Sequence, residues 1–244
     1  MKSGGFPAAV KRYILQFFKL LFPPACPLCL TTLPIRYTAP FCSACLGDFT
    51  PLPPAHCPVC ALPFSGSENS FHLCGRCIKK QPVFVKVFAV GVYEKSLRHA
   101  IHQFKFNQRL GLDRALGTLL DHAVDPALII DIVVPVPLSR LKLQQRGYNQ
   151  SYLLAHEFSR LRGLPVENKL LCKGRETKDQ HGLSALERET NLQQAFRLER
   201  QLQGETVLLV DDVLTTGKTV EICSQMLKQG GAGDIYVAVI GRAP

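Results

Sequence analysis

VLLVDDVLTTGKTV, residues 207–220, changes character twice along its length. Its four leading apolar residues, 207–210, have the length and composition of a strand buried on both faces. Two carboxylates follow, Asp211 and Asp212, and then a Thr/Gly-rich turn that opens a helix at Lys218. The backbone N–H groups of residues 215–219 are expected to face one concavity at the helix N-terminus, where the helix dipole also favours an anion. Thr215, Thr216 and Thr219 add hydroxyl donors, and Gly217 lets the backbone approach a ligand closely. Such a turn holds a phosphate. Two aspartates just upstream repel a second phosphate but accept hydrogen bonds from a diol. A sugar phosphate with free vicinal hydroxyls satisfies both halves. The plainer alternative is an aspartate N-cap with a second, solvated aspartate beside it. The stretch is no Walker loop, because Gly-x-x-x-x-Gly-Lys is absent and Lys218 follows a single glycine.

Working outward, strands and helices alternate from about residue 83. Residues 83–93, 129–135, 207–210 and 235–240 read as strands, and 96–107, 111–124, 149–161 and 218–228 as helices. This alternation gives a mostly parallel sheet with helices on both faces. Ligands of such sheets bind at the carboxyl ends of the strands. The acidic pair and the threonine turn fall at such an end.

The acidic pair with its Thr-Thr-Gly-x-Thr loop resembles the phosphoribosyl-diphosphate signature of type I phosphoribosyltransferases. Three other segments extend the likeness: IHQFKFN (101–107), VPVPLSRLKLQQRGYNQ (134–150) and QHGLSALERETNLQQAF (180–196). Together with a cysteine-rich segment before them, they make nearly all of residues 22–243 similar to the ComF family. Tyr148 stands where many members carry Phe. The resemblance implies an α/β chain, a Rossmann-like type I phosphoribosyltransferase fold behind an N-terminal double zinc ribbon. It further implies phosphoribosyl diphosphate with Mg²⁺ as ligand, and a part in DNA uptake during natural transformation. On this reading Asp211 and Asp212 hold the ribose, and Thr215, Thr216, Gly217, Lys218 and Thr219 anchor the 5-phosphate.

Neighbouring segments have physical readings of their own. In VPVP (134–137) the prolines follow a buried strand, so the chain leaves the sheet in an extended bend. Arg140, Lys142 and Arg146 follow closely and can neutralise a diphosphate; a solvated basic turn is the alternative. Arg146, Asn149 and Gln150 sit at the start of a helix beside the strand ends, where polar residues face the site. Residues 174–185 (GRETKDQHGLSA) are polar and without periodicity, as a mobile loop closing over substrate would be. Lys178, Gln180 and Arg188 are then candidate diphosphate contacts, and an ordinary loop is the alternative.

Eight of the ten cysteines form four Cys-x-x-Cys pairs: Cys26/Cys29, Cys42/Cys45, Cys57/Cys60 and Cys74/Cys77. Each pair puts two sulfurs on one side of a tight turn, where both reach one tetrahedral Zn²⁺. A disulfide framework would need an oxidising compartment, and no secretion signal is recognised. Two structural zinc ions are expected. Spacing favours sequential pairing, with nested or crossed pairing left open. His56 and His72 stand beside the knuckles with no coordination position left for them. Cys172 and Cys223, in strand and helix patterns, are expected to be buried thiols.

Residues 1–22 read as an amphipathic helix, 23–80 as the zinc ribbon and 81–244 as the phosphoribosyltransferase-like domain. In the first, Val10, Ile14, Phe17, Phe18 and Leu21 lie near helical spacing, while Gln16 and Lys19 interrupt what would be a signal-peptide core. The helix covers the protein's own body or, with Lys11, Arg12 and Lys19, a membrane surface or partner. No apolar run is long enough to span a bilayer. The formal charge of +10 points to nucleic acid. Eight thiolates and two Zn²⁺ take back about four of those charges, leaving a mild attraction for phosphates.

Three functions remain. The first is a cytoplasmic ComF-type protein, peripheral at the inner membrane if its first helix binds there, with DNA-uptake proteins as partners. The second is an active phosphoribosyltransferase on a nucleobase or amine. The third is a module whose ribbons contact single-stranded DNA. Few aromatics interleave the ribbon's basic residues, namely Phe41, Phe49, Phe64 and Phe71, so base stacking has thin support.

Overall fold

A computed structural model describes residues 23–64, 72–106, 109, 111–174 and 196–244. Among them the elements run α1 (Ser43–Gly47), α2 (Gly75–Lys79), β1 (Lys86–Val92), α3 (Lys95–Phe106), α4 (Leu112–Ala123) and β2 (Ile132–Pro135). Then come α5 (Arg140–Arg146), α6 (Gln150–Arg162), β3 (Leu171–Lys173), β4 (Phe196–Leu198), β5 (Val207–Leu214), α7 (Lys218–Gln229) and β6 (Ile235–Arg242). Four strands form a parallel sheet in the order β1-β6-β5-β2, and β3 and β4 pair antiparallel beside it. The expected α/β architecture is present.

Burial on both faces explains the apolar strands. On one face Val133, Leu208, Val210 and Ala238 pack against α3, α4 and α6 through Ile101, Leu116, Leu154 and Phe158. On the other, Val134, Leu209, Val237 and Val239 meet Val220, Ile222 and Leu227 of α7. The cysteine groups divide between these faces. Cys26, Cys42 and Cys45 belong to the first cluster, and Cys57, Cys60, Cys74 and Cys77 to the second. The ribbon also covers the free edge of β1, since Val87 N donates to Val59 O at 2.8 Å and Val92 N to Thr50 O at 2.9 Å. An edge strand with its backbone groups occupied offers no template for another chain.

Three elements differ from the pattern read off the sequence. Strand β5 runs on through Asp211 and Asp212, because β6 keeps pairing with it as far as Leu214 opposite Arg242. The basic turn at 140–146 is a helix, α5. It buries nothing, so no hydrophobic periodicity marks it; Ser139 Oγ caps it by accepting from Lys142 N at 3.4 Å. Cys172 is half-buried, since β3 belongs to a short two-stranded pair at the margin, whereas Cys223 on α7 is buried. The expected helix at 1–22 and the candidate contacts Lys178, Gln180 and Arg188 lie outside the described residues.

Candidate functional site

The cysteines assemble into two groups, Cys26, Cys29, Cys42 and Cys45, and Cys57, Cys60, Cys74 and Cys77. Within each, the sulfurs all lie within 4.8 Å of one another. Cys29 and Cys42 sulfurs are 3.6 Å apart, and those of Cys60 and Cys74 3.5 Å. Zn–S bonds of about 2.3 Å in a tetrahedron put sulfurs roughly 3.8 Å apart, so both groups fit one Zn²⁺ each. The pairing is sequential. Backbone N–H groups already point at sulfur, Cys42 N at Cys26 Sγ (3.5 Å) and Cys74 N at Cys57 Sγ (3.4 Å). Burial pushes the Cys57 thiol up, but N–H groups of Cys60, Cys74 and Val59 outweigh it and bring it down to about 7. Burial pushes the Cys45 and Cys77 thiols up. A metal must take off those last protons.

The second centre lies at the carboxyl ends of β2 and β5, in a cavity of about 170 Å³. Asp211, Asp212 and Thr219 line it together with Val136, Pro137 and Leu138 from the bend after β2. Four cations join the wall, Lys105 from α3, Lys142 and Arg146 from α5, and Lys173 from β3, with Ser139 and Ser151 completing it. Asp211 Oδ1 accepts from Ser151 Oγ and from Asp212 N, both at 2.9 Å. Burial and then the neighbouring Asp212 charge push the Asp211 carboxyl up to about 7. Asp212, 8% exposed, pairs with Lys105 Nζ at 2.9 Å.

The threonine turn is split. Thr219 faces this cavity, whereas Thr216, Gly217 and Lys218 line a separate recess of about 160 Å³ against the ribbon's Arg76. Thr215 is exposed, and its carbonyl accepts from Arg242 Nη1 at 3.0 Å. Gly217 takes a φ of 73°, which an L side chain rarely adopts, and heads α7 without a side-chain cap. Gly217 has no side chain to cap the helix, and Thr216 Oγ1 accepts from the first N–H of α7, that of Lys218, at a long 3.5 Å.

Of the three polar residues read at the start of α6, Arg146 lines the cavity and lies over the Phe106 ring at 5.2 Å. Asn149 caps α6, accepting from Ser151 N at 3.0 Å, while its Nδ2 donates to Val136 O at 3.0 Å. It thus fixes the bend after β2 against the helix whose Ser151 holds Asp211. Gln150 is 1% exposed and is not among the residues lining the 170 Å³ cavity; its Oε1 accepts from Arg146 Nη1 at 3.0 Å. Lys105, Ser151 and Lys173 escaped the sequence reading. Lys105 follows the buried Phe104 in an amphipathic helix, and an isolated charge there reads as solvated. Three of the ribbon's four Phe rings serve packing: Phe41 is fully buried edge-on to Phe49 at 5.2 Å, and Phe64 stacks on His72 at 4.2 Å, while Phe71 lies outside the described residues.

Comparison with known proteins identifies both halves of the chain. Residues 17–78 match the double zinc ribbon domain, and residues 154–244 the phosphoribosyl transferase domain. The DNA utilization protein YhgH of Escherichia coli K12 is 37% identical over 91% of this chain and 99% of its own. Competence protein F of Haemophilus influenzae is 35% identical over 83% of this chain and 90% of its own. Glutamine phosphoribosylpyrophosphate amidotransferase from B. subtilis is 21% identical, with a TM-score of 0.42 over 56% of this chain and 30% of that one. No helix among the described residues is long and apolar enough to cross a membrane. A zinc ribbon with two four-cysteine groups precedes a domain of the phosphoribosyltransferase class. The chain belongs to the ComF family.

Proposed function

We propose that this chain is a cytoplasmic ComF-type protein that binds phosphoribosyl diphosphate with Mg²⁺ and serves in DNA uptake or utilization. The observation that carries the ligand reading is the make-up of the 170 Å³ cavity, a carboxylate pair facing a wall of cations. Vicinal ribose hydroxyls donate to Asp211 and Asp212. Lys142 and Arg146 face the diphosphate, and the 5-phosphate runs past Thr219 to the start of α7 and the residues Thr215, Thr216, Gly217 and Lys218. Mg²⁺ arriving with the ligand beside Asp211 and Asp212 would supply positive charge against the developing charge of the diphosphate. Asn149 and Ser151 keep the two walls in register. The DNA role rests on the names of the relatives, a DNA utilization protein and a competence protein.

A cleft of about 770 Å³ favours a second reading, an active phosphoribosyltransferase. It shares Pro137, Leu138 and Lys173 with the smaller cavity and continues past Tyr148 and Tyr152. That volume suits a second substrate of nucleobase size. Calorimetric titration with phosphoribosyl diphosphate and Mg²⁺ tests the first reading. Replacing Asp211 and Asp212 together by Asn removes charged acceptors for two hydroxyls, each contributing about 1.5–3 kcal/mol. Affinity is expected to fall roughly tenfold to a hundredfold. Wild-type affinity in a folded double variant would leave the acidic pair only its structural links to Ser151 and Lys105 and end the assignment. Release of diphosphate with one member of a panel of nucleobases would establish the second reading.

A further inference from the structure

Arg242, at the end of β6, is 2% exposed. Its Nε donates to Cys60 O at 2.9 Å, and its Nη1 to Leu214 O and Thr215 O, each at 3.0 Å. It also donates to Ala243 O. Arg76, between the zinc ligands Cys74 and Cys77, donates through Nη1 to Thr216 O. Its Nη2 lies 3.0 Å from where a Cβ on Gly217 would stand. Three successive carbonyls of the turn, those of Leu214, Thr215 and Thr216, are therefore taken by two arginines tied to the second cysteine group.

Planarity gives this arrangement a consequence. In a trans peptide the C=O of one residue and the N–H of the next point in opposite directions. Drawing the carbonyls of Leu214, Thr215 and Thr216 toward the arginines turns the N–H groups of Thr215, Thr216 and Gly217 the other way. These are the amides on which the proposed 5-phosphate site depends. The buried guanidinium of Arg242 also has no carboxylate partner among the described residues. Four thiolates around one Zn²⁺ carry a net charge of about −2, which puts the counter-charge for Arg242 on the second zinc site itself. The first cysteine group packs on the opposite face of the sheet and has no such link to the turn; Arg109 Nη1 ties it instead to the start of α4 through Leu28 O at 2.6 Å.

We infer that Arg242 and Arg76 are positioning residues that aim the amides of residues 215–217, with the second zinc site as their anchor. The ribbon then shapes the ligand site without touching the ribose. This inference rests on the ligand reading proposed above, and its test separates the two. Full-length protein is compared as wild type, Arg76→Gln, Arg242→Lys and Arg242→Met. The measurements are ribose 5-phosphate affinity, zinc content, and the amide resonances of residues 215–217 in the ligand-free state. Arg76 is exposed, so Arg76→Gln folds and retains two zinc ions. It is expected to weaken ribose 5-phosphate about tenfold and to move the turn's amide resonances, in keeping with loss of one charge-assisted bond. Arg242→Met is expected to weaken binding further and Arg242→Lys to recover part of the loss. Arg76→Gln with wild-type affinity and unmoved turn resonances would overturn the inference. If the wild-type protein bound no 5-phosphate ligand, the ligand reading would fall. The amide resonances would still decide whether the arginines set the turn.

Discussion

Lys105, next to last in α3, places its ammonium 2.9 Å from a carboxylate oxygen of Asp212 on β5, across the mouth of the candidate cavity. Both side chains are largely shielded, 19% and 11% exposed. The pair links the helical layer to the strand end. It also occupies one of the two carboxylates proposed to receive ribose hydroxyls, so ligand binding must compete with Lys105 for Asp212.

Because the pair is partly buried, removing either member strands the other charge. Lys105→Met and Asp212→Asn, alone and combined, form a double-mutant cycle in urea unfolding, with an expected coupling of about 0.5–3 kcal/mol. The ligand response is expected to split. Asp212→Asn frees Lys105 and removes a repelling charge, so inorganic diphosphate binds several-fold more tightly while phosphoribosyl diphosphate binds more weakly. Additive stabilities and parallel changes for both ligands would refute a shared role for the pair.

Metal removal tests the packing of the ribbon. Native protein is expected to contain two zinc ions per chain, one for each four-cysteine group. The cysteines share their hydrophobic clusters with strands of the sheet, Val210 on one face and Leu209 on the other. Chelation is therefore expected to lower the stability of the whole chain in one transition, with hydrogen-exchange protection falling in β5 and β6 together with the ribbon. Protection lost from the ribbon alone, with β5 and β6 unchanged, would make the ribbon an independent module.

What could be read from the sequence follows from how local each signal is. The apolar run at 207–210, the acidic pair and the threonine turn are contiguous, so strand, carboxylates and helix start were legible in order. The cysteine spacing likewise fixed ligand identity and favoured the pairing found. Lys105 and Ser151 reach the site from helices distant in the chain, and neither sits in a motif that names its partner. Arg76 and Arg242 were invisible for the same reason: their partners are backbone carbonyls, which leave no trace in residue types. Helix α5 buries no residue, so its periodicity carries no hydrophobic signal. Gln150, a polar residue at a helix start, reads as facing solvent or ligand, whereas the fold buries it against Arg146.

The last prediction follows from Asp211, whose carboxyl is pushed up to about 7 by burial and by Asp212. An unfolded aspartate titrates near 3.9. The folded protein therefore keeps a proton that the unfolded chain releases, and the stability this group contributes is present below about pH 4 and lost as pH rises through about 7. Asp211→Asn mimics the neutral carboxyl at every pH. In ligand-free protein the variant is expected to match wild type below about pH 4 and to exceed it in stability by about pH 8, as read from urea unfolding at each pH. Ligand binding runs the other way. Ribose hydroxyls are proposed to donate to the ionised carboxylate, so affinity for phosphoribosyl diphosphate with Mg²⁺ should climb by up to about tenfold per unit below pH 7 and level off above it. Calorimetry at pH 6 in two buffers of different ionisation enthalpy should then register up to one proton released per ligand bound, after correction for the ligand's own titration. The Asp211→Asn variant should release none. Equal pH dependence of stability in wild type and variant, or binding at pH 6 without proton release, would mean that Asp211 is already ionised in the free protein. The buried carboxyl would then be a standing anion held by Ser151 and Lys105, and the ligand would have no proton to displace.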